Sequence, residues 1–495
     1  MRTTAEETKV DGGRSPSAFD SLLVFAVLIA LLAASYFLFG KDAASGPNQI
    51  ALIFSSLVAG AVAHKNGMPW PGVSKAVVDG VSTGLSAIFI LLAVGALIGS
   101  WAISGTLVAM IYYGLELLNP HIFYVSALVI CALIAVAVGS SWTVIGTIGV
   151  GLMGVAANLG LSPGIAAGAI VSGAFFGDRT SPLSDTLNLG SAVTGANLYE
   201  LIRESMWTAV PSFLLALALF AFMGQSGATE ASHAMNDLSG HFNISPWAFA
   251  PLIFVFLLAI LRLPPFVTIF SGALLGGLVA VALNPQTVIA FANAESLPAP
   301  VALLKGVWMA LATGFVSNTG EPETDALLSR GGMAHMLSTV WLIMAALAFG
   351  AIVEHAGLLA RVVDPIASRA RTVGGLVASV VACSVATNIV TADQYMAVAL
   401  PGRMFRAEFE RRGYASVVLA RAVGDTGTVT SALIPWNSCG AYVAATLAIP
   451  TFAFAGFALF CLINPLITIL IAMLGFRMLK VQPAKDAVIG DAPAG

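Results

Sequence analysis

Three charged side chains occur together in a part of the sequence that is otherwise apolar. Asp178, Arg179 and Asp185 follow the apolar run 164–176, within the segment SGAFFGDRTSPLSDTLN at 172–188. A charge at the centre of a bilayer costs about 2.5–3.5 kcal/mol on insertion scales, so these charges require a polar cavity around them. A proline lies between them, and it interrupts the helix and frees backbone groups. The combination indicates a pathway for an ion or a polar substrate.

The polar side chains of this segment offer oxygen atoms that can bind a cation. Hard cations such as Na⁺ prefer oxygen ligands, and hydroxyl and amide groups supply neutral ones. Asp185 has no basic neighbour one helical turn away, so it is favoured as the group that also carries a proton. Asp178 can instead form a structural ion pair with Arg179 or Arg203. The candidate ion ligands are Asp178, Asp185, Thr180, Ser181, Ser184 and Asn188.

A second polar segment, VATNIVTADQYMAVALPGRMF, runs from 385 to 405. Its hydroxyls and amide can ligate a cation or cap two half-helices. Asp393 can serve either as a proton carrier or as an N-cap. The matching stretch of the first half, SSWT at 140–143, contains no carboxylate, so the two halves differ chemically. The candidate ligands of these two stretches are Ser140, Ser141, Thr387, Asn388 and Asp393.

A third polar segment, RAVGDTGTVTSALIPWNSCGAY, spans 421–442 and predicts a second interrupted helix. Asp425 precedes this interruption as Asp178 precedes the first. An alternative is a structural ion pair between Asp425 and Arg421, one helical turn earlier. The candidate ligands of this segment are Asp425, Thr430, Ser431 and Asn437.

The composition indicates the elements that must position these residues. The chain has 495 residues, of which 58% are hydrophobic and 9% charged, with a mean hydropathy of +0.91. This is too apolar for a soluble domain and predicts a membrane protein with several spans. The first apolar run, 22–39, is interpreted as a retained span. No nucleic-acid partner is expected, and the lipid bilayer is the predicted surrounding.

Basic residues predict the orientation of the spans. Cytoplasmic loops carry an excess of Lys and Arg, whereas the loop 224–245 contains neither and is placed outside. Segment 373–401 has basic flanks and predicts a re-entrant hairpin entering from the cytoplasm; 122–158 lacks them and predicts one entering from outside. The basic positions placed in the cytoplasm are Lys65, Lys75, Arg361, Arg369, Arg371, Arg403, Arg406, Arg411, Arg412, Arg477, Lys480 and Lys485.

These patterns predict an all-α inverted repeat. The words GDRTSPLS at 177–184 and GTVTSALI at 427–434 match at an offset of 250, since 431 − 181 = 250. Two polar, interrupted segments at corresponding places are the best sequence pointer to a binding site in a secondary transporter. We expect about 10 to 12 transmembrane segments. The predicted divisions are a cytoplasmic tail 1–21, a first membrane repeat 22–223 (hairpin 122–158, broken helix 164–188), a periplasmic loop 224–245, a second repeat 246–476 (hairpin 373–401, broken helix 415–440) and a cytoplasmic tail 477–495.

Other function classes fit the sequence less well. A channel would show repeated filter motifs. An enzyme would show a nucleophile, base or metal set, and the chain has no HExxH motif and no ligand spacing among its six histidines. No cofactor is expected beyond the transported ions. A sodium-coupled organic anion carrier is the serious alternative, and a positively charged pocket around Arg179 would favour it.

Four long motifs resemble the NhaC family of sodium/proton antiporters. They are GAFFGDRTSPLSDTLN, SNTGEPETDALLSRGGM, NIVTADQYMAVALPGRMF and DTGTVTSALIPWNSCGAY, in that order. The resemblance implies exchange of Na⁺, with Li⁺ as a further candidate, for H⁺ across a bacterial inner membrane. It also implies an elevator-like movement and a homodimer. Relatives that exchange sodium-lactate for malate and protons keep the organic anion alternative open. The ion ligands that the resemblance implies are Ser140, Ser141, Ser181, Asp185, Thr387, Asn388 and Ser431.

Overall fold

The computed structural model describes residues 15–224, 245–294, 296–317, 325, 328–362 and 372–481. Over these residues it is almost entirely helical, which confirms the predicted all-α class. Within the described ranges, eight helices are long and apolar enough to cross a bilayer, and a bent pair adds a ninth. Four shorter apolar helices of 10–17 residues accompany them. The chain is therefore a multi-pass membrane protein.

Several predictions fall outside the described part of the chain. They concern the tails 1–14 and 482–495 with Lys485, most of the loop 224–245, residues 318–324, 326 and 327 of one motif, and the basic residues Arg369 and Arg371.

The described residues form a series of α-helices along the chain. Their bounds are Ala18–Phe39, Pro47–Lys65, Trp70–Thr83, Leu85–Ile103, Thr106–Leu117, Phe123–Val138, Ser141–Val144, Val150–Asn158, Pro163–Thr180, Asp185–Thr194, Leu198–Phe222, Ala250–Ile260, Pro265–Leu283, Pro285–Ala292, Ala299–Thr313, Leu337–His355, Val373–Thr391, Gln394–Arg411, Ser416–Val423, Ser438–Leu447, Thr451–Ala455 and Leu459–Met473. Two π-helical turns, Ile145–Gly149 and Gly424–Thr428, continue the helices around them.

Two pairs of consecutive helices in the described chain form helical hairpins. The first hairpin consists of Phe123–Val138 and Ser141–Asn158, joined by the first tip, residues 139–140. The second consists of Val373–Thr391 and Gln394–Arg411, joined by the second tip, residues 392–393. The second arm of this hairpin continues past the predicted end at residue 401, because Pro401 is accommodated within the helix.

Two broken helices also form, and a proline accounts for each interruption. The first break, residues 181–184, contains Pro182, and the second break, residues 434–437, contains Pro435. The residue before a proline is driven from helical to extended backbone. Ser181 has φ −84° and ψ 133°, and Ile434 has φ −106° and ψ 117°. The second helix bends by 46° at its break.

The caps of these elements recur at one constant spacing. Each tip begins with a residue in the left-handed conformation, Gly139 in the first and Ala392 in the second. These residues are 253 positions apart, since 392 − 139 = 253. The prolines of the two breaks have the same spacing, since 435 − 182 = 253. Further cap pairs at this offset are Ser140 and Asp393, Ser162 and Ala415, Ser181 and Ile434, Ser184 and Asn437, and Gly195 and Ala448.

The predicted repeat is therefore present, but its predicted offset of 250 was wrong. Short words rich in Gly, Thr and Ser match by chance, whereas helix caps mark backbone geometry. At an offset of 253, Asp178 corresponds to Ser431, and Asp425 corresponds to Ser172. The two aspartates that precede the breaks are thus not equivalent to each other.

Gly139 is required at the first tip for two reasons. Its φ of 76° is unfavourable for other residues, and a Cβ would lie 2.7 Å from the backbone carbonyl carbon of Leu183. Gly160 also has a positive φ, 63°, but a Cβ there would meet nothing within 4 Å.

We therefore expect Gly139→Ala to destabilise the protein more than Gly160→Ala. Both variants bear left-handed strain of about 1–2 kcal/mol, and only the first adds an overpacking cost of about 1–3 kcal/mol. Melting temperatures of the purified proteins in detergent measure the difference. Equal melting temperatures would contradict this account of the first tip.

Candidate ion-binding site

The carboxylate of Asp178 is the best-defined polar centre of the first broken helix. It is 5% exposed and lies in the last turn before the first break. The hydroxyls of Ser141 and Ser184 donate to its two oxygens, each at 2.6 Å, and the Ser141 backbone N–H donates at 3.3 Å. No cationic side chain of the described chain forms an ion pair with Asp178. A buried charge is thus held by hydroxyl groups from the first hairpin and the first break.

The other predicted ligands of this region mostly form hydrogen bonds with nearby backbone groups. Ser181 donates to the Val136 carbonyl at 2.8 Å and so ties the break to the first hairpin. Thr180 donates to Phe176 within its own helix, and Asn188 donates to the Ser184 carbonyl. Ser140 is the N-cap of the second hairpin arm and accepts from the Thr143 N–H at 3.2 Å. These contacts build the geometry that holds Asp178.

A cavity of about 60 Å³ lies where the two hairpin tips and the first break meet. Three carboxylates, those of Asp178, Asp185 and Asp393, line it. No Lys, Arg or His from the described ranges lines it. The cavity is therefore an electronegative space that favours cations. Other polar residues at its wall are Thr83, Ser86, Ser140, Ser141, Thr186, Gln394, Tyr395 and Ser438.

The three cavity aspartates occupy different environments. Asp393 is 6% exposed and caps the second hairpin arm by accepting from the Met396 N–H at 2.9 Å. Asp185 is exposed, and among the described residues no hydrogen bond or ion pair reaches its carboxylate. It also lines an adjoining cavity of about 240 Å³, which includes Arg262. Asp185 thus stands at an accessible entrance, whereas Asp178 lies deeper.

A second polar cluster links the second hairpin to the second break. The Asn388 amide donates to the Gly427 carbonyl at 2.7 Å and to the Thr430 hydroxyl at 3.0 Å. Asn437 donates to the Asn388 side-chain oxygen at 3.0 Å. Neither amide lines the cavity of the three aspartates.

The remaining predicted ligands of this half bond within their own helices. Thr387 donates to the Cys383 carbonyl, and Ser431 donates to the Thr428 carbonyl. The predicted ligands of this half that do not line the cavity of the three aspartates are Thr387, Asn388, Thr430, Ser431 and Asn437.

Asp425 lies apart from the cavity, in a buried ion pair. Arg179 Nε donates to its Oδ1 at 2.9 Å, and the two side chains are 1% and 0% exposed. Thr468 donates to its second oxygen at 2.8 Å. The pair joins the two broken helices through their interior.

This pairing corrects two expectations. Asp178 pairs with neither Arg179 nor Arg203, and Asp425 does not pair with Arg421, which lies 3.9 Å from Glu204 instead. Successive helical residues point about 100° apart, so Asp178 and Arg179 face different neighbours. Arg179 lines neither cavity, so it does not form the positively charged pocket that would favour an organic anion.

The second arm of the first hairpin also packs against the second broken helix. Trp142 stacks on Tyr442 with ring centroids 4.1 Å apart and 15° between the planes. The Tyr442 hydroxyl donates to the Trp142 carbonyl at 2.6 Å. The site thus depends on contacts between both halves.

Comparisons with known proteins agree with this architecture. A family model described as the Na⁺/H⁺ antiporter family matches residues 173–476. The Na(+)/H(+) antiporter NhaC of Alkalihalophilus pseudofirmus is 32% identical over 467 residues, which cover 93% of this chain and 96% of that protein. The chain belongs to the Na⁺/H⁺ antiporter family.

Two further relatives match this antiporter over most of its sequence. NhaC of Bacillus subtilis is 33% identical over 86% of this chain and 91% of its own length. The malate-2H(+)/Na(+)-lactate antiporter of the same organism is 31% identical over 90% of this chain and 92% of its own. The resemblance to NhaC is confirmed, and these relatives are transporters.

Sequence reasoning missed several residues that line the antiporter's cavity. The polar ones are Thr83, Ser86, Thr186, Gln394, Tyr395 and Ser438. The offset of 253 provides a signal for two of them, because it pairs Gln394 with Ser141 and Ser438 with Asp185. That offset becomes recognisable only when the caps are known.

The buried pair of Arg179 and Asp425 predicts a large loss of stability on Asp425→Asn. The variant leaves the Arg179 charge buried without its partner, which costs about 3–5 kcal/mol. Thermal unfolding in detergent measures the loss. The double variant Arg179→Met with Asp425→Leu should recover most of it, because it removes both charges.

Glu410→Gln is the matched control. Glu410 pairs with Arg406 at 3.0 Å, but the side chains are 60% and 49% exposed, so the expected cost is about 0–1 kcal/mol. A similar melting temperature for the Asp425 and Glu410 variants would exclude a stabilising role for the buried pair.

Proposed function

We propose that this protein exchanges Na⁺ for H⁺ across a bacterial inner membrane, and that Asp178 is the carboxylate that the two ions share. The observation that carries the proposal is the buried Asp178 carboxylate, which is held by hydroxyls instead of a counter-ion. It borders a cavity with two further aspartates. Membership of the Na⁺/H⁺ antiporter family supports the choice of ions.

The oxygen atoms around Asp178 suit a hard cation. Ser141 and Ser184 donate to the carboxylate in the described structure, and a hydroxyl can rotate to present a lone pair instead. A Na⁺ ion entering between them gains a carboxylate and two neutral oxygens without a large backbone shift. Oxygen ligands are those that hard cations prefer.

Exchange follows from competition for one charge. A proton neutralises the carboxylate, which favours its burial, whereas Na⁺ requires the ionised form. The same group therefore holds either ion, but not both together. Asp185 and Asp393 raise the local cation concentration, since they add negative charge to the cavity wall.

The movement that carries the site across the membrane is proposed to be elevator-like, within a homodimer, and Li⁺ is a proposed second substrate. Both hairpins and both broken helices meet at the cavity, and contacts such as Trp142 on Tyr442 tie them to one another. Groups linked in this way can move as one body with the bound ion enclosed.

Asp178→Asn should abolish Na⁺-driven proton movement in proteoliposomes. An amide keeps the shape of the side chain but cannot alternate between Na⁺ and H⁺. Transport efficiency should fall by at least about 100-fold, the factor that corresponds to losing about 3 kcal/mol from a charge-assisted contact.

Asp185→Asn is the comparison variant, because Asp185 was favoured by the sequence but is exposed. We expect it to keep exchange, with a higher KM for Na⁺. Retained exchange in Asp178→Asn together with lost exchange in Asp185→Asn would assign the shared site to Asp185.

A sodium-coupled organic anion carrier is the second candidate function. The relative that is a malate-2H(+)/Na(+)-lactate antiporter favours it, as does Arg262 in the adjoining cavity. The cavity of the three aspartates argues against it. Sites for organic ligands commonly have about 300–1,000 Å³, whereas this cavity has about 60 Å³.

We expect lactate and malate to leave Na⁺-driven proton movement unchanged. The small, negatively charged cavity repels a carboxylate, so neither anion should be needed. The measurement is the internal pH of proteoliposomes after a Na⁺ pulse, with and without each anion, and with chloride as the control. Exchange that occurs only when lactate or malate is present would favour the organic anion carrier.

A further inference from the structure

Gln394 is a buried polar residue of the cavity that none of the contacts described above explains. It is 5% exposed and lines the cavity together with Asp178 and Asp393. Its Oε1 atom is buried and accepts no hydrogen bond from the described chain. Buried polar side chains nearly always have a hydrogen-bond partner, and at the wall of the cavity this oxygen is available to a group that enters it.

The repeat gives Gln394 a counterpart that contacts Asp178. It corresponds to Ser141, since 394 − 141 = 253. Each is the first residue of the second arm of its hairpin and follows an N-cap, Asp393 or Ser140. Ser141 donates to Asp178 at 2.6 Å. The two tips thus bring polar side chains from equivalent positions to the same cavity.

The chemistry of Gln394 suits a cation better than a proton. A side-chain amide oxygen is a neutral acceptor that does not titrate in the physiological range, and hard cations accept such oxygens as ligands. The cation would then lie between the carboxylate of one half and the amide of the other.

We propose that Gln394 is a direct ligand of the transported Na⁺, the contribution of the second hairpin tip to the site built around Asp178. The proposal rests on the proposed function and extends it to a residue outside the three aspartates. It makes the ion site a joint product of both repeats. It also gives the site a neutral ligand through which the size of the cation can be selected.

Two substitutions separate the oxygen of Gln394 from its volume. Gln394→Met keeps the length of the side chain and removes the oxygen, whereas Gln394→Glu keeps an oxygen. We expect Gln394→Met to raise the KM for Na⁺ about tenfold or more, as for the loss of one contact to a charge. Its ratio of Na⁺ to Li⁺ transport should also change. Gln394→Glu should keep Na⁺ transport.

Gln49→Met is the matched control. Gln49 is also buried with an unpartnered Oε1, but its amide donates to the Ala44 and Ser338 carbonyls and it lines neither cavity around Asp185. Its KM for Na⁺ should equal that of the wild type. A Gln394→Met protein with wild-type KM and wild-type ion preference would overturn the ligand role.

The binding of Na⁺ can also be measured without transport, and this tests the role of Gln394 separately from ion exchange. Na⁺ should raise the melting temperature of the purified wild-type protein in a choline background, and Gln394→Met should lose this rise at the same Na⁺ concentration. If Gln394→Met does not fold, Gln394→Asn, which withdraws the oxygen, is compared in the same way. Wild-type stabilisation by Na⁺ without proton exchange would reject the proposed function alone. An unchanged rise in the variants, or no rise in the wild type, would reject the ligand role.

Discussion

The hydrogen bonds that Asp178 accepts from Ser141 and Ser184 connect the local folding of this protein to its ion chemistry. A buried carboxylate must be compensated, and here hydroxyl groups provide the compensation instead of a fixed cation. Each of these two hydroxyls is positioned by the start of a helix. Ser141 opens the second arm of the first hairpin, and Ser184 caps the segment after the first break. The breaks and tips are therefore the devices that bring donors to a charge inside the membrane.

The neighbouring residues Asp178 and Arg179 of the first broken helix carry opposite charges in two different environments. Asp178 faces the cavity, where no cationic side chain of the described chain pairs with it, and Arg179 faces the interior, where it pairs with Asp425. A permanent pair between Asp178 and Arg179 would have neutralised the site. The separation follows from helical geometry, because adjacent side chains point in different directions. The second repeat contributes the partner of Arg179 and, through its tip, another wall of the cavity.

The sequence was sufficient for the class of fold and for the segments of the site. Apolar runs predicted the helices, and Pro182 and Pro435 marked both breaks because their effect on the preceding residue is local. Contacts between distant segments could not be predicted. The partner of Arg179 depends on how two broken helices pack, and the cavity position of Gln394 depends on where the second tip meets the first. The exposure of Asp185 likewise follows from packing, which its neighbours along the chain do not reveal.

The central claim is that one buried carboxylate holds either Na⁺ or H⁺, so the binding of one must release the other. Calorimetric titration of the purified protein with Na⁺, in two buffers of different ionisation enthalpy, measures the protons released on binding. At a pH where the empty site is largely protonated, the account predicts release of close to one proton per Na⁺, and no such release in Asp178→Asn. Na⁺ binding without proton release at any pH, or undiminished release in the Asp178 variant, would contradict it.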